Sequence, residues 1–534
     1  MRNDEMKFIR EVFTNPECSV RVPMVALTKA SIIWLNQRAM RRDPLYFQCR
    51  GDQARYRNEL TRRCAVAIGG GVIAGNSVES GPVTGWGYVD RYGGKGIGRN
   101  GGSGRSVYAN GYYLKGIGCT PLIHADTSSS HASGGAFLEE CVRETIFSEI
   151  VEAEFPRGAV PVLAIIDTGK TVVWDTPAGP KAEMCTILVR PPFVRPAHLE
   201  PAYAFTANRV SELQADLRRV HSFLANLERS LGRLEDWLVR FAEAWAEQTA
   251  YSFVHCLPHC GNTTSNISIH GELLDFGAMS AVPSWGRVRL LENRVMFGDE
   301  LLTVIREANI LSASVQHFAG EVVDPDKNAR VTRSAAQRYS DTILFETLRL
   351  CGMKASVARE VLRSTEKLEL ASILAALKKY YRLWRGNIIT KRSIFGELTD
   401  IFQAWEAPER IPEHLKPLRA FLEKVTPIDE RELLAARARR IGMPREELFR
   451  AEIREWLYAE LNPGTSGQFV SCERVSEVIN SVIQRSRRDS RVAEVEREVV
   501  TKYLYLDGVT TVELRDGRRI IESDCGKDRK VFPE

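Results

Sequence analysis

The 534-residue sequence lacks any apolar run long enough to span a membrane, and its first residues, MRNDEMKFIREVF, mix acids and bases where a signal peptide is apolar. An excess of either charge is also missing. The 73 basic and 68 acidic residues leave a formal net charge of +5, far from the field of a dedicated nucleic-acid binder. The 11 cysteines show no framework spacing, which is typical of a reducing compartment. We therefore expect a cytoplasmic protein whose partners include neither a membrane nor nucleic acid.

Short strands and one amphipathic helix surround a region of extreme glycine density. Glycines from Gly69 to Gly104 interrupt strand-like pieces, and glycine permits the close backbone approach that phosphate binding needs. A flexible surface loop is the alternative interpretation. A strand is predicted over Tyr112–Lys115, and further strands in VPVLAIID, KTVVWD and MCTILVR. A helix is predicted where apolar residues recur every four positions, at Leu138, Val142, Ile146 and Ile150.

The second half of the chain has helical patterns. Apolar residues between Leu213 and Trp245 alternate steps of four and three, which predicts long packed helices. Gly232 lies in the middle, and we expect it to divide this stretch into two antiparallel helices. Positions 301 to 497 are also helix-rich. The segment TTVELRDGRRIIE then predicts a β-hairpin that turns at Asp516-Gly517.

Two segments carry residues suited to holding phosphates. The first is a glycine-rich turn made by Gly102, Ser103, Gly104 and Arg105. It precedes Lys115, which ends a strand and can hold ATP phosphates when a carboxylate fixes its position. The second segment, the helix CVRETIFSEI, offers Glu144 as that carboxylate, although a solvated glutamate is the commoner fate of such a residue.

A third segment, GNTTSNISIHGELLDFG, carries residues suited to a magnesium ion. Asn266 precedes Asp275 by nine positions, and Asp275 opens an Asp-Phe-Gly motif. Mg²⁺ prefers oxygen ligands and keeps several waters, so one carboxylate and one amide carbonyl beside a triphosphate suffice. A lone Asp-Phe-Gly tripeptide is weak evidence. The motif is stronger evidence here because it follows, in order, a glycine-rich turn, a lysine at the end of a strand and a glutamate in a helix.

In this combination the chain resembles the SelO family of kinase-like protein adenylyltransferases. The matching segments are GGSGRS, YYLKGIGCTP, CVRETIFSE, ILVRPPFVRPAHLE, EAWAEQTAYSFVH and SNISIHGELLDFG, over roughly residues 65 to 300. The resemblance implies an α+β, two-lobed protein-kinase-like fold with a helix-rich C-terminal extension. The expected divisions are an irregular or helical lead-in over 1–60, an N-lobe over 61–200, a helical C-lobe over 201–395, and a helix-rich region over 396–534 that ends in the hairpin.

The resemblance also implies a reaction and the residues that perform it. The chain would bind ATP and Mg²⁺ and transfer AMP to a protein or peptide acceptor, with pyrophosphate as the leaving group. The implied catalytic residues are Lys115, Glu144, Asn266 and Asp275, of which Asn266 and Asp275 would bind Mg²⁺. The implied ATP-binding residues are Gly102, Ser103, Gly104, Arg105, Lys115, Arg190 and Arg195.

The main departure from the family is Ser265, which stands where an aspartate suited to act as general base is usual. Serine is too weak a base for that role at neutral pH. A carboxylate acceptor would need no base, because it is already deprotonated, and its attack would give an acyl-adenylate. In this respect the chain resembles the proteins that modify siderophore microcins, of the MchC/MceJ type, and a second modification enzyme is an expected partner. His255 or His259 takes the family's histidine position.

Other interpretations remain open at this point. A pseudoenzyme that acts as a scaffold is favoured by Ser265 and opposed by the six polar site residues that are retained. Ordinary phosphoryl transfer would use the same metal site, but the two arginines of ILVRPPFVRP argue against it. Two His-x₃-His and Cys-x₃-Cys spacings, in HCLPHC, could ligate zinc, although no second ligand pair is evident. Cys525 is interpreted as a free thiol.

Overall fold

The computed structural model describes most of the chain. The described residues are 3–78, 81–93, 101–123, 132–176, 179–202, 210–286, 288–290, 295–383, 411–427, 434, 437–438, 441–442, 445–461, 470–487, 500–504, 510–515, 518–523 and 529–533. Within them, no helix combines the length and apolar character that crossing a bilayer requires. Cys525 lies outside these ranges.

A nine-stranded antiparallel sheet organises the amino-terminal part. Its strands are β1 (Ser19–Ala26), β2 (Ser31–Leu35), β3 (Val66–Ile68), β6 (Val83–Asp90), β7 (Ser106–Ala109), β8 (Tyr112–Lys115), β9 (Ala136–Phe137), β10 (Ala164–Thr176) and β11 (Gly179–Arg190). The order is β2-β10-β11-β8-β7-β6-β1-β3, with β9 also paired to β11. The short strands β4 (Val72–Ile73) and β5 (Asn76–Ser77) form a separate ribbon. The sheet places β8 and β11 side by side, with Lys115 opposite Leu188 and Tyr113 opposite Arg190.

The expected irregular or helical lead-in is wrong in part. Strands β1 and β2 fall within the first 60 residues and belong to the main sheet. In β1 the side chains of Val22 and Met24 are buried, Pro23 between them is partly buried, and Arg21 before them is exposed, so this part of the strand alternates as a half-buried strand should. Arg21 hid this pattern, because a charged residue within so short a segment looks like part of a polar stretch. The domain boundaries themselves stay a prediction.

Helices make up most of the rest of the chain. The amino-terminal ones are α1 (Asn3–Thr14), α2 (Gln37–Met40), α3 (Pro44–Gln48), α4 (Gln53–Cys64) and α5 (Leu138–Glu154). The following ones are α6 (Val210–Leu231), α7 (Leu234–Val254), α8 (Glu300–Phe318), α9 (Pro325–Leu350), α10 (Ala355–Arg363), α11 (Glu366–Leu383), α12 (Lys416–Val425), α13 (Arg450–Leu461) and α14 (Cys472–Ser486). A sheet-based part followed by a helical part confirms the predicted α+β class.

Helix α5 is the predicted helix after the glycine-rich region, and it is buried along most of its length. Leu138, Val142, Ile146 and Ile150 are all buried in the largest hydrophobic core, as the four-residue spacing predicts. The same helix buries Glu144, which is 2% exposed. A carboxylate that is buried this deeply needs partners of opposite charge, and the neighbouring strands supply them.

The predicted division of the heptad segment is confirmed. Helix α6 ends at Leu231 and α7 begins at Leu234, with Gly232 between them at a φ of +76°. This left-handed conformation costs glycine nothing and ends a helix, which is why the heptad pattern does not continue as one rod. Helix α7 then packs against α8 and α9, so the apolar seam is internal packing.

The carboxy-terminal helices α13 and α14 return to the amino-terminal part. Both pack against α5, and α14 also contacts β2. Arg445, just before α13, forms a buried ion pair with Glu154 at the end of α5. The amide of Ala281 donates to the carbonyl of Leu448 over 2.9 Å. Helices α13 and α14 therefore pack on the helix that carries Glu144.

The predicted hairpin near the end of the chain is part of a larger sheet. Strands β12 (Val500–Leu504), β13 (Thr510–Arg515), β14 (Arg518–Ser523) and β15 (Arg529–Pro533) form a four-stranded antiparallel meander in chain order. The pairing of β13 with β14 confirms the hairpin, and its turn residues, Asp516 and Gly517, lie outside the described residues. The two outer strands were not predicted.

Candidate active site

Lys115 ends strand β8 and is held there by tight backbone packing. Strand β8 pairs with β7 on one side, where Lys115 lies opposite Ser106, and with β11 on the other. Gly116 follows with a φ of +100°, and a Cβ at this position would lie 2.4 Å from the carbonyl oxygen of Thr186. Glycine is therefore required after the lysine, because any side chain would force the strand end away from β11. The predicted strand and its lysine are confirmed.

Three carboxylates surround the ammonium group of Lys115. Its Nζ lies 2.7 Å from Glu144 Oε2, 3.0 Å from Glu140 Oε1 and 3.4 Å from Asp275 Oδ1. Burial alone would lower the pKa of Lys115, but Asp275, Glu140 and Glu144 outweigh it and raise the pKa above its usual value. The lysine is therefore charged at neutral pH. The predicted pairing of Lys115 with Glu144 is found, and Asp275 faces the same cleft.

Glu140 is a residue of the candidate site that the sequence motifs did not identify. Its Oε1 and Oε2 accept from Arg105 Nη2 and Nη1 over 2.6 and 3.0 Å, which is a bidentate pair. The sequence did hold a signal, because Glu140 lies four residues before Glu144 and thus on the same face of α5. Through this pair, the arginine of the glycine-rich turn is tied to the helix that positions Lys115.

The glycine-rich turn is fixed by backbone contacts. Gly102 has a φ of +132°, and a Cβ on it would lie 2.4 Å from the carbonyl oxygen of Asp90. The carbonyl of Ser103 accepts from the Thr120 hydroxyl over 2.6 Å, and the carbonyl of Gly104 accepts from the Thr120 amide over 2.9 Å. These bonds hold the turn beside the end of β8. The preceding residues 94–100 lie outside the described ranges.

The two arginines predicted to contact phosphate are both buried and paired with carboxylates. Arg190 Nη2 donates to Glu144 Oε1 over 2.7 Å, so Glu144 joins Arg190 and Lys115. Arg195 Nη1 donates to Asp90 Oδ2 over 3.0 Å, and Arg195 Nε donates to the carbonyl of Ser265 over 2.8 Å. The structure thus brings Arg195 to the segment that is predicted to bind magnesium. Contact of either arginine with phosphate stays a prediction.

The two predicted magnesium ligands lie on adjoining backbone segments. The amide of Leu274 donates to the carbonyl of Asn266 over 3.1 Å, which places Asp275 next to Asn266. Asn266 Nδ2 donates to Gly261 O over 2.9 Å, and this fixes the orientation of its amide. One carboxylate and one amide oxygen, both hard donors, fit Mg²⁺ beside a triphosphate.

Asp275 has the backbone and charge of a residue that meets a cation. Its φ of +59° is left-handed, a conformation that non-glycine residues adopt rarely and at a cost. The carboxylate is half-exposed, so it is open to the cleft. Lys115 is the main cause of the lowered pKa of Asp275, which keeps this carboxylate ionised.

His259, rather than His255, contacts the segment that is predicted to bind magnesium. His259 Nε2 donates to the carbonyl of Leu274 over 2.9 Å, and its Nδ1 accepts from the amide of Gly261 over 3.3 Å. The neutral ring therefore links Gly261, whose carbonyl accepts from Asn266, to the segment that carries Asp275, and burial lowers the pKa of His259. His255 Nε2 lies 3.0 Å from Glu346 Oε2 instead. The two histidines have separate partners, and the described residues show no cluster of three or more His, Cys, Asp or Glu side chains suited to a metal, zinc included.

Ser265 is buried beside these residues, at 7% exposure. Its hydroxyl lies 2.8 Å from that of Thr263. The carbonyl of Ser265 accepts from Arg195, so the backbone here is held although the side chain cannot act as a base. A serine in this position contributes a hydroxyl to the loop and no negative charge.

A strand lysine paired with a helix glutamate, beside an Asp-Phe-Gly turn, defines the site of a protein-kinase-like fold. Residues 93–288 match the family model described as protein adenylyltransferase SelO. The family consists of ATP-dependent enzymes that transfer AMP, and the match covers every predicted site residue. A search of curated proteins returned no match.

Proposed function

We propose that this chain is a nucleotidyltransferase that uses ATP and Mg²⁺ to transfer AMP to a protein or peptide acceptor. The observation that carries the proposal is the convergence of Glu144 and Asp275 on Lys115, within the segment that matches the SelO family. The need for ATP and the pattern of unpaired thiols favour the cytoplasm as the place of this reaction.

In the proposed reaction an acceptor oxygen forms a bond to the α-phosphorus of ATP, and the bond from that phosphorus to the bridging oxygen breaks to release pyrophosphate. Lys115, positioned by Glu144, binds phosphate oxygens, and Arg190 and Arg195 add positive charge near them. Asn266 and Asp275 hold Mg²⁺, which when bound neutralises charge on the phosphates. Glycines of the turn at residues 102–104 let backbone approach the nucleotide.

The acceptor that fits this site best is a carboxylate. A hydroxyl acceptor must lose a proton as it attacks, and a positioned base typically contributes about 10²- to 10⁴-fold to such a step. Ser265 supplies no base, and its hydroxyl is already bonded to Thr263. Attack by a carboxylate would give an acyl-adenylate, which a second nucleophile, delivered by a second modification enzyme, would capture as an ester or amide. This is the chemistry of siderophore-microcin modification, which the MchC/MceJ resemblance implies.

Intact mass of candidate acceptors after incubation with Mg-ATP tests the transfer. We expect addition of AMP, or release of pyrophosphate with no stable adduct when the acyl-adenylate hydrolyses. Addition of phosphate would replace the proposal with phosphoryl transfer, and failure to bind ATP would support a scaffold. Hydroxylamine distinguishes the acceptors: a peptide hydroxamate formed only with ATP supports a carboxylate, whereas stable AMP on Ser, Thr or Tyr contradicts it.

A further inference from the structure

Glu140 forms ion pairs with two positively charged side chains that could bind a nucleotide. These are Arg105 of the glycine-rich turn and Lys115 at the end of strand β8. The Oε1 atom of Glu140 lies 2.6 Å from Arg105 Nη2 and 3.0 Å from Lys115 Nζ, and its Oε2 accepts from Arg105 Nη1. Arg105 Nη1 also donates to the carbonyl of Gly135 over 2.9 Å. Arg105 and Lys115 thus share the carboxylate of Glu140, and Lys115 also pairs with Glu144 and Asp275.

The charges around the cleft are balanced without a nucleotide. The six charged side chains of this network are Arg105, Lys115, Arg190, Glu140, Glu144 and Asp275. Three positive and three negative charges sum to zero, so the network as a whole offers no net attraction to phosphates. Loss of the Glu140 charge alone would make the network positive while leaving Glu144 on Lys115 and Asp275 in the cleft.

We propose that Glu140 is a positioning residue that occupies Arg105 and Lys115 in the nucleotide-free protein, and that ATP binds by displacing its carboxylate from them. The inference deepens the proposed function and rests on it, because it assumes that phosphates bind at these two cations. Glu140 sets the nucleotide affinity of the site and makes binding depend on Mg²⁺, which brings the positive charge that the balanced network lacks.

This carboxylate stays ionised at all working pH values. Burial alone would raise the pKa of Glu140, but Lys115 and Arg105 outweigh it and hold the pKa far below its usual range. We therefore expect phosphate, and not protonation of Glu140, to separate this carboxylate from Arg105 and Lys115.

The variant Glu140→Gln tests the inference by calorimetric titration with ATP. Glutamine keeps the size of the side chain and removes its charge, so we expect Mg-ATP to bind about tenfold more tightly than to the unmodified protein. The gain should be larger for ATP with a chelator than for Mg-ATP. A merely structural role would not produce this result, because damage to the fold lowers affinity.

The matched control is Glu139→Gln, one position earlier on the same helix. Glu139 pairs with Arg143 over 3.0 Å and not with Arg105 or Lys115, and glutamine can still accept from Arg143, so the affinity of Glu139→Gln for Mg-ATP should be unchanged. Inorganic tripolyphosphate should show the same gain with Glu140→Gln as ATP does, because the displaced contacts are to phosphate. Adenosine should bind both proteins equally.

Each outcome of these titrations supports or overturns the inference about Glu140. Unchanged or weaker binding by Glu140→Gln, with normal ATP binding by the unmodified protein, overturns the inference and leaves the proposed function standing. Equal gains in Glu139→Gln and Glu140→Gln also overturn it, since a general loss of negative charge would then be the cause. Absence of ATP binding to either protein overturns the proposed function and the inference together.

Discussion

A lysine shielded from water keeps its charge only when carboxylates compensate for burial, and Lys115 has three of them within 3.4 Å. The three carboxylates differ in their other partners. Glu144 also binds Arg190, and Glu140 also binds Arg105. Asp275 is the half-exposed member of the three, which leaves it open to a metal ion.

We expect Asp275→Ala to lower AMP transfer by at least about 10²-fold, because it removes the carboxylate that we propose as a ligand of the magnesium ion. The melting temperature should change little, since an ion pair with a half-exposed carboxylate contributes little to stability. Intact-mass assays and thermal unfolding measure the two effects. The exposed Glu413→Gln serves as control and should retain transfer. Equal ATP affinity with chelator and with Mg²⁺ would count against this metal assignment.

Glu300, at the start of α8, should make stability fall as pH rises. Burial raises its pKa from the ordinary value of 4.5 to about 7, so between these pH values the folded chain binds a proton that the unfolded chain has lost. The free energy of unfolding should therefore decrease by up to about 1.4 kcal/mol per pH unit in this window on account of Glu300.

The variant Glu300→Gln should remove that part of the slope and be the more stable protein at pH 8. Glutamine can still accept the hydrogen bond that the Gly298 amide gives to Glu300. Urea unfolding at pH 5, 6, 7 and 8 measures the difference, with the exposed Glu321→Gln as control. Identical pH profiles for Glu300→Gln and the unmodified protein would show that the buried carboxyl does not titrate in this range.

The site residues that the sequence allowed us to predict are those with a local signature. Lys115 ends a strand, Glu144 follows in a helix, and Asp275 opens a tripeptide motif, so short segments identify them. Glu140 was missed because two consecutive glutamates at a helix start are common on solvated surfaces. The pairing of Arg195 with Asp90 joins residues 105 positions apart, and no local pattern encodes such a contact.

At the scale of elements, helix α5 was predictable and strands β1 and β2 were not. The four-residue spacing of α5 is a strong signal because the helix is apolar on its packed face and long enough to repeat it. Strands are short, and β1 and β2 become strands by pairing with β6 and β10, which lie far along the chain. Strand formation depends on such distant partners more than helix formation does.

We expect Arg445→Met to destabilise the protein by about 3–5 kcal/mol and to weaken Mg-ATP binding. The change would remove the buried ion pair between Arg445 and Glu154 at the end of α5. Helix α5 carries Glu140 and Glu144, so a shift of its far end would disturb Lys115. Denaturant unfolding and calorimetric titration measure the two effects.

Two further variants support this test. Adding Glu154→Gln to Arg445→Met should recover part of the lost stability, because the buried charge is then gone. The exposed pair of Arg474 with Glu460 provides a control, and Arg474→Met should cost at most about 1 kcal/mol. A loss in Arg445→Met no larger than in this control would contradict a role for the C-terminal helices in holding α5.

At the scale of the whole molecule, the segment that matches the SelO family should not fold by itself. Residues 93–288 omit β1, β2, β3 and β6, which are four strands of the main sheet, and also α13 and α14, which cover α5. An isolated 93–288 fragment should show no cooperative thermal unfolding by circular dichroism, in contrast to the full chain. A sharp thermal transition in the fragment would mean that the hydrophobic core within residues 93–288 is sufficient for folding.

The packing of α13 and α14 on α5 also sets an order of events during synthesis. Helix α5 ends at residue 154, and α14 begins at residue 472. At translation rates of about 5–20 residues per second, α14 emerges about 15–65 s after α5. During that time the nascent chain exposes the part of α5 that α13 and α14 cover in the folded protein. The helix that carries Glu140 and Glu144 is thus synthesised well before the helices that cover it.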